Sequence, residues 1–297
     1  MDKIINFIGV GAVKSGTSWL SNILDQHPEI EFSTRKEISY FNKYDFKGLK
    51  NISYNFPLNF YFKFWSDKKK IKGEFSPQYL FDSHAPSKIK NTFPDVKILI
   101  ILRNPLEVLY SHYHYEKYFN QTIPEKMSFK ESIKKYKFLL NSVKFSKQIK
   151  RYQNLFHKSQ IKIYIFEEAI MNPREFSKKL YMDLGLINVD FLPDFKVINK
   201  SKKVRFKFIN KFFNILSAIK NILTRSHSNF FFNFMKSKLY LYIVRFRDKI
   251  LTINVVNNKK HSLSDNNIKF IENYLKNEIL EIEKLLGKDL TIWRKYD

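Results

Sequence analysis

The chain predicts an α/β fold in which helices flank a central parallel sheet. Two observations carry that expectation. Near-continuous apolar runs at 4–10, 96–102 and 160–166 have the length and composition of strands covered on both faces. Each is followed by a segment that reads as helix, and such alternation implies parallel strands joined by right-handed crossovers.

The elements follow in order. Residues 4–10 form a short apolar run ended by glycine, and a helix follows from Thr17 to Gln26, stopped by His27-Pro28. The run Val96 to Leu102 is the clearest strand. After Asn104-Pro105 a helix runs through Phe119, with proline in its first turn. Residues 128–158 read as helical with lysine-rich outer faces, 160–166 as a third strand, and 173–184 as a helix closed by Gly185. Between 206 and 250, Phe206, Ile209, Phe213, Leu216, Ile219 and Leu223 recur at helical spacing among lysines, and the apolar stretches Asn229 to Phe234 and Leu239 to Val244 follow. A last helix, Asp265 to Leu286, carries the stripe Ile268, Ile271, Leu275, Ile279, Ile282 and Leu286 before Gly287. The expectation is one domain over 1–297, with 206–250 a helical insertion within it.

Composition limits the chemistry. A chain of 297 residues with 44% hydrophobic content can build one sizeable core, and with no cysteine it has neither a disulfide framework nor a thiol nucleophile. The net charge of +25 invites a nucleic-acid partner, yet 44 of the 53 basic residues are lysine and 9 are arginine. Base readout and bidentate phosphate recognition favour arginine, so no nucleic-acid partner is expected. No signal peptide and no apolar run of transmembrane length is visible, which makes a cytoplasmic location the expectation.

The segment Gly9 to Leu20 lies where the first strand turns into the first helix. Several backbone N–H groups and the positive helix end converge there, which makes an anion site. Gly11 and Gly16 permit close backbone approach, Ser15, Thr17 and Ser18 bring hydroxyls, and Lys14 brings a mobile charge. A nucleotide kinase loop would place glycine directly before the lysine. Here Val13 precedes Lys14 and glycine comes two residues after it, so that pattern fails.

The order Lys14-Ser15-Gly16-Thr17 resembles the 5′-phosphosulfate loop of the sulfotransferase superfamily, most nearly its carbohydrate (heparan sulfate-like) and bacterial branch. The resemblance implies a P-loop-like three-layer fold that uses 3′-phosphoadenosine 5′-phosphosulfate (PAPS) and releases 3′-phosphoadenosine 5′-phosphate (PAP). It implies that Lys14 contacts the bridging oxygen of the donor, and that Ser15, Gly16, Thr17 and Ser18 hold the 5′-phosphate. Arg103, 89 residues after Lys14 at the end of the second strand, with Ser111 eight residues further on, resembles the family's 3′-phosphate motif. Lys36-Glu37-Ile38-Ser39-Tyr40-Phe41 is similar to the segment whose glutamate takes the acceptor's proton, which assigns Glu37 as base. A surface ion pair with Lys36 and Arg35 is the competing reading.

Gly73 to Leu80 resembles that branch's acceptor-side stretch, with Phe75 where several relatives carry lysine; Glu74 ranks behind Glu37 as a catalytic candidate. Phe166-Glu167-Glu168, Met171-Asn172-Pro173 and Leu184-Gly185-Leu186 resemble a structural run of the family. Asn199 to Arg205 resembles the loop over the 3′-phosphate, making Lys203 and Arg205 candidate ligands against the alternative of a solvated lysine run. His112 and His114 lie on the same helix as Ser111 and rank first as packing or hydrogen-bonding residues. The resemblance implies an acceptor hydroxyl or amine on a carbohydrate or lipid-linked sugar, no metal, and leaves 206–250 as either a helical cover or a surface for peripheral membrane contact. A nucleotide kinase and a non-catalytic basic anion-binding protein are the rival readings.

Overall fold

Every residue of β1 (Phe7–Gly11) is buried, because it is the middle strand of a sheet covered on both faces. In this computed structural model the described residues are 4–45, 47–66, 69, 71–196, 202–206, 208–209, 212–213, 215–216, 238–257 and 265–294. They divide into two compact units: Met1–Tyr113, Ser128–Asn199 and Ser262–Asp297 make one, His114–Met127 and Lys200–His261 the other.

In the first unit β1 leads into α1 (Thr17–Asp25) and β2 (Ile30–Phe32). Next come α2 (Leu58–Phe62), β3 (Ile71–Phe75), α3 (Gln78–Phe81), α4 (Ala85–Thr92), β4 (Lys97–Leu102) and α5 (Pro105–His114), of which all but His114 belong to this unit. Then follow α6 (Phe129–Lys135), α7 (Lys137–Asn141), α8 (Phe145–Gln153), β5 (Ile161–Ile165), α9 (Phe166–Met171) and α10 (Pro173–Leu184). The five strands pair in parallel in the order β2-β3-β1-β4-β5, as the alternation of strands and helices requires. On one face, Trp19, Leu20, Ile23 and Leu24 of α1 meet Leu180, Tyr181 and Leu184 of α10 over Phe7, Phe75, Leu99 and Ile101 of the sheet. Trp19 stacks on Phe176 at 5.5 Å and meets Phe166 edge-on at 6.0 Å, contacts worth about 0.5–1.5 kcal/mol each beyond their buried area. Gly185 ends α10 at φ 78°, the left-handed conformation that stops a helix.

Three expectations need correction. β1 starts at Phe7, and Ile4 is 64% exposed, since the ladder to β3 and β4 begins only where those neighbours do. β2 and β3 have no counterpart among the expected strands: each carries a charged residue within a short run, and the apolar signal is lost. Glu31 is nonetheless buried, because its carboxylate accepts hydrogen bonds from the N–H and hydroxyl of Ser66 and the N–H of Lys69. Residues 128–158 form three helices, broken where Tyr136 and Lys144 leave helical ψ. Ser128 and Glu131 start the first of them with a reciprocal capping box.

In the second unit, α11 (Lys238–Ile253) leads into β7 (Val255–Asn257), which pairs antiparallel with β6 (Lys202–Val204). Asn254 sits at that corner and bonds both the N–H and the carbonyl of Phe206 at 2.8 Å. Of the apolar stretches expected here, Asn229 to Phe234, Ile219 and Leu223 lie outside the described residues. The last helix, α12 (Asp265–Leu286), belongs to the first unit and buries Ile271, Leu275, Ile279 and Ile282 as a core stripe.

Candidate active site

β1 and β4 are neighbouring strands, and the Ala12 N–H bonds the Ile101 carbonyl at 2.8 Å. Lys14 and Arg103 are each two residues beyond that shared rung, so the two predicted anion contacts leave the same edge of the sheet side by side. This is the carboxyl end of the strands, where open α/β sheets bind their ligands. The loop between β1 and α1 has Lys14 at φ 61° and Gly16 at φ 89°. A Cβ on Gly16 would stand 2.3 Å from the Phe166 ring, so glycine is needed both for the turn and for room.

α1 begins with no side-chain cap and no acidic residue in its first turn. A helix start leaves its first N–H groups without intrahelical partners, and no acidic residue of the helix's own first turn competes for them. Thr17 and Ser18 stand in that first turn. Ser15 is fully buried; its N–H closes on the Ala12 carbonyl at 3.3 Å and its hydroxyl donates to the Val13 carbonyl at 3.5 Å. The Ser18 hydroxyl accepts a 2.9 Å hydrogen bond from Lys36 Nζ. That brings a second cation to the loop, from the segment that also carries Glu37.

Arg103 follows β4, with its guanidinium over the Phe166 ring 5.3 Å from the centroid, and pairs with Glu107 at 2.8 Å. Within α5, Ser111 lies four residues after Glu107, so these two share one stripe of the helix. Asn104 holds this corner. Its N–H bonds Glu167 at 2.9 Å, its side-chain amide bonds the Trp293 carbonyl at 2.9 Å, and its oxygen accepts from the Leu106 N–H. Glu167 in turn receives the Trp293 indole N–H. The structural reading of the Phe166-Glu167-Glu168 run thus has a specific content: Glu167 anchors the residue next to Arg103.

Glu37 keeps some solvent-accessible surface, yet protein encloses its carboxyl. That burial pushes its pKa above the ordinary carboxylate value, while the charges of Lys36 and Lys14 pull it down again. The charges of both lysines thus act on a carboxyl that protein encloses. Glu37 and Ser39 both hold positive φ, 57° and 55°, a conformation that costs on the order of 1–3 kcal/mol per residue. The loop is held from beneath by Glu74, which is fully buried. Its carboxylate accepts from the hydroxyls of Tyr61 at 3.0 Å, Tyr79 at 2.9 Å and Ser76 at 2.6 Å, and from the Ile38 N–H.

The loop continues past Glu37 into the wall of a groove of about 430 Å³ lined by Tyr44, Lys47, Asp82, Lys137, Phe138 and Asn141, among others. The side-chain amide of Asn51 ties the Ser39 carbonyl to that of Asn42, and the Tyr44 N–H bonds Asp82 at 2.7 Å. His112 is buried against Phe138, with ring centroids 5.5 Å apart. Burial together with the charges of Lys14 and Lys47 lowers its pKa to about 3, so it is neutral at working pH. His114 lies in the second unit and stacks on Tyr118.

The structure thus gathers Lys14, Gly16, Thr17, Ser18, Glu37 and Arg103 around one strand edge, with Ser111 further along α5. Lys203 lies on β6 of the second unit, and Arg205 follows it with its guanidinium 5.4 Å from the Phe206 ring centroid. Asn199 to Ser201 fall outside the described residues. Sequence reasoning misses Lys36 as a partner of Ser18, Glu107 as the partner of Arg103, and the groove residues Tyr44, Lys47 and Lys137. Only the four-residue spacing of Glu107 from Arg103 offers a signal.

Residues 6–281 match the family model described as "Sulfotransferase domain". Over 111 residues the chain is 33% identical to the membrane-associated sulfotransferase kil1 of Dictyostelium discoideum, a match covering 37% of this chain and 22% of that protein. Over 210 residues it is 25% identical to the bifunctional heparan sulfate N-deacetylase/N-sulfotransferase 1 of Xenopus tropicalis, covering 63% of this chain and 23% of that one. The chain therefore spans less than a quarter of the length of these relatives. The fold is that of a crystallised sulfotransferase from Alicyclobacillus acidocaldarius, with a TM-score of 0.67, 21% identity, and coverage of 98% of this chain and 99% of that one.

Proposed function

The chain belongs to the sulfotransferase domain family, and from that premise we propose that it transfers a sulfuryl group from PAPS to a hydroxyl or amine of a carbohydrate acceptor. The observation that carries this reading is the shared rung between β1 and β4, which puts Lys14 and Arg103 side by side at the strand ends. One anion site at a helix start is common, whereas two with this spacing suit a nucleotide phosphorylated at both the 5′ and 3′ positions. The uncapped start of α1, with Gly16, Thr17 and Ser18, fits the 5′-phosphate. Arg103, released from Glu107, and Ser111 serve the 3′-phosphate.

PAPS supplies the activated sulfuryl group, and the residues of this chain do the rest. Glu37 takes the proton of the acceptor as its oxygen or nitrogen bonds to sulfur. Lys14 would bring its positive charge to the donor's leaving phosphate, which would carry away the electron pair of the broken S–O bond. As in phosphoryl transfer, positioning and fixed charge carry the catalysis. The groove beyond Glu37 supports a carbohydrate: Tyr44 and Phe138 offer apolar faces to sugar rings, and Lys47 and Lys137 suit acidic substituents.

The test is thermal melting with PAP against ATP-magnesium. At about 100 times its dissociation constant a ligand adds roughly 2.7 kcal/mol, a shift of a few degrees for a chain of this size. PAP is expected to stabilise the protein and ATP-magnesium is not, and Arg103→Ala is expected to weaken the PAP effect. Stabilisation by ATP-magnesium alone would move a nucleotide kinase to the front.

A second surface supports contact with a membrane or a lipid-linked acceptor. Along α11, Leu239, Tyr242, Ile243, Phe246 and Ile253 recur at helical spacing, and all are exposed, from 47% to 71%. Phe208, Phe212, Ile215 and Leu216 are exposed as well. Residues 206–250 carry nine basic side chains and one acidic. An apolar stripe on a basic segment suits the surface of an anionic bilayer, and among the described residues no helix is long and apolar enough to cross one. Vesicles containing phosphatidylserine are expected to bring the protein down on sedimentation, and Tyr242→Ser with Phe246→Ser to leave it in solution. Equal sedimentation of both proteins would refute the surface.

A further inference from the structure

We propose that Glu74 is a positioning residue whose buried carboxylate, acting through the hydroxyls of Ser76 and Tyr79, holds the backbone of Ile38, Ser39 and Tyr40 and so aims Glu37. The inference rests on Glu37 as the base. The bonds all run in one direction. The Ser39 N–H donates to the Ser76 hydroxyl at 3.0 Å and the Tyr40 N–H to the Tyr79 hydroxyl at 2.8 Å. Each hydroxyl then donates a hydrogen bond to Glu74, at 2.6 Å and 2.9 Å. The Ile38 N–H reaches the carboxylate directly, and the Tyr61 hydroxyl completes it at 3.0 Å. Three successive amides of the loop therefore end on one charge.

All four partners of the carboxylate are donors, so the site suits a group that only accepts. A protonated carboxyl or an amide would point a proton at one of them and break the order of the hydroxyls. The consequence falls on a loop with two residues in the left-handed region, which non-glycine residues hold only where their surroundings over-determine it. The titratable groups facing Glu74 are Tyr61 of α2 and Tyr79 after β3, with Tyr40 of the loop behind them. Burial raises both Tyr61 and Tyr79 well above the ordinary tyrosine value, so they stay protonated donors.

Burial also raises Glu74 itself, to about 7, against the pull of its hydrogen bonds. For folding, a raised carboxylate favours the protonated native state. Its contribution is full below the ordinary carboxylate value and is lost as pH rises through about 7. Loop order runs the opposite way: it needs the ionised form and improves over the same interval. A purely structural role would make activity follow stability, whereas positioning sets the two against each other.

The experiment measures amide-exchange protection at Ser39 and Tyr40 in the free protein, with kcat and KM for PAPS, for wild type and Glu74→Gln at pH 6 and pH 8. At pH 8 the variant is expected to lose at least tenfold of the protection at these two amides, with the amides of β1 and β4 unchanged. Its kcat should fall by a similar factor, with KM for PAPS within twofold. At pH 6, where wild-type Glu74 is itself largely protonated, the two proteins should converge. Unchanged protection, or the same difference at both pH values, overturns the proposal. Should Glu74→Gln fail to fold, Ser76→Ala reads the Ser39 arm alone by the same criterion. Because protection is read without turnover, an active Glu37→Gln protein would remove the base assignment and leave the positioning result standing.

Discussion

Lys14→Ala is expected to lower kcat by about 10²–10³, the loss typical of removing one preorganised donor to a developing negative charge. The side chain leaves a loop at the carboxyl end of β1, next to the uncapped start of α1. Its charge acts on both Glu37 and His112, which places it among the groups of the site and not on an outer surface. Most of the loss belongs in kcat, because positive charge at the bridging oxygen matters most once that oxygen becomes anionic. Lys14 also holds positive φ, a conformation as awkward for alanine as for lysine, so the backbone cost is similar in the variant. The measurement is steady-state transfer of labelled sulfate from PAPS, with PAP melting as the check on binding. A change below threefold in kcat would remove Lys14 from the reaction.

Glu37→Gln is expected to lower kcat by about 10²–10⁴, the range for loss of a general base, while PAP still stabilises the protein. The amide keeps the shape of the side chain and cannot accept the proton. In the wild type, burial raises the Glu37 pKa above the carboxylate value, so in the proposed role of base it can accept a proton only once pH has risen past that raised value. Stability responds in the opposite sense. The contribution of the raised group is full below its unfolded pKa and is lost as pH climbs through the folded one. The expected profile is kcat that rises with pH on the acid side, and a variant whose residual rate lacks that limb. A Glu37→Gln protein with the wild-type profile would show that another group takes the proton.

Much of this site is legible in the amino-acid order. The loop between β1 and α1 can be read because its requirements are local: glycine where the backbone must turn, lysine within reach, and a helix starting at Thr17. Arg103 can be read because the apolar run before it ends abruptly at the sheet edge. β2 and β3 cannot. Ile30-Glu31-Phe32 owes its burial to Ser66 and Lys69, more than thirty residues away, and nothing in its own three residues announces them.

Glu74 shows the same boundary most sharply. By sequence it is a lesser catalytic candidate in an acceptor-side stretch. In the fold its near neighbours Ser76 and Tyr79 are joined by Tyr61 of α2, and through Ser76 and Tyr79 the carboxylate reaches the N–H groups of Ser39 and Tyr40, more than thirty residues earlier in the chain.

The parallel α/β class, the candidate anion loop after β1, the arginine just past β4 and the candidacy of Glu37 all follow from the order of residues along the chain. Period, turn chemistry, charge and motif spacing act over a few residues, so they can be read without knowing what packs against them. The adjacency of β1 and β4, the pairing of Arg103 with Glu107, the reach of Lys36 to Ser18 and the place of Glu74 beneath Ile38 to Tyr40 come only from the fold. Hydrogen-bond partnership and burial depend on which distant segments meet, and desolvation acts on a group only after they have met.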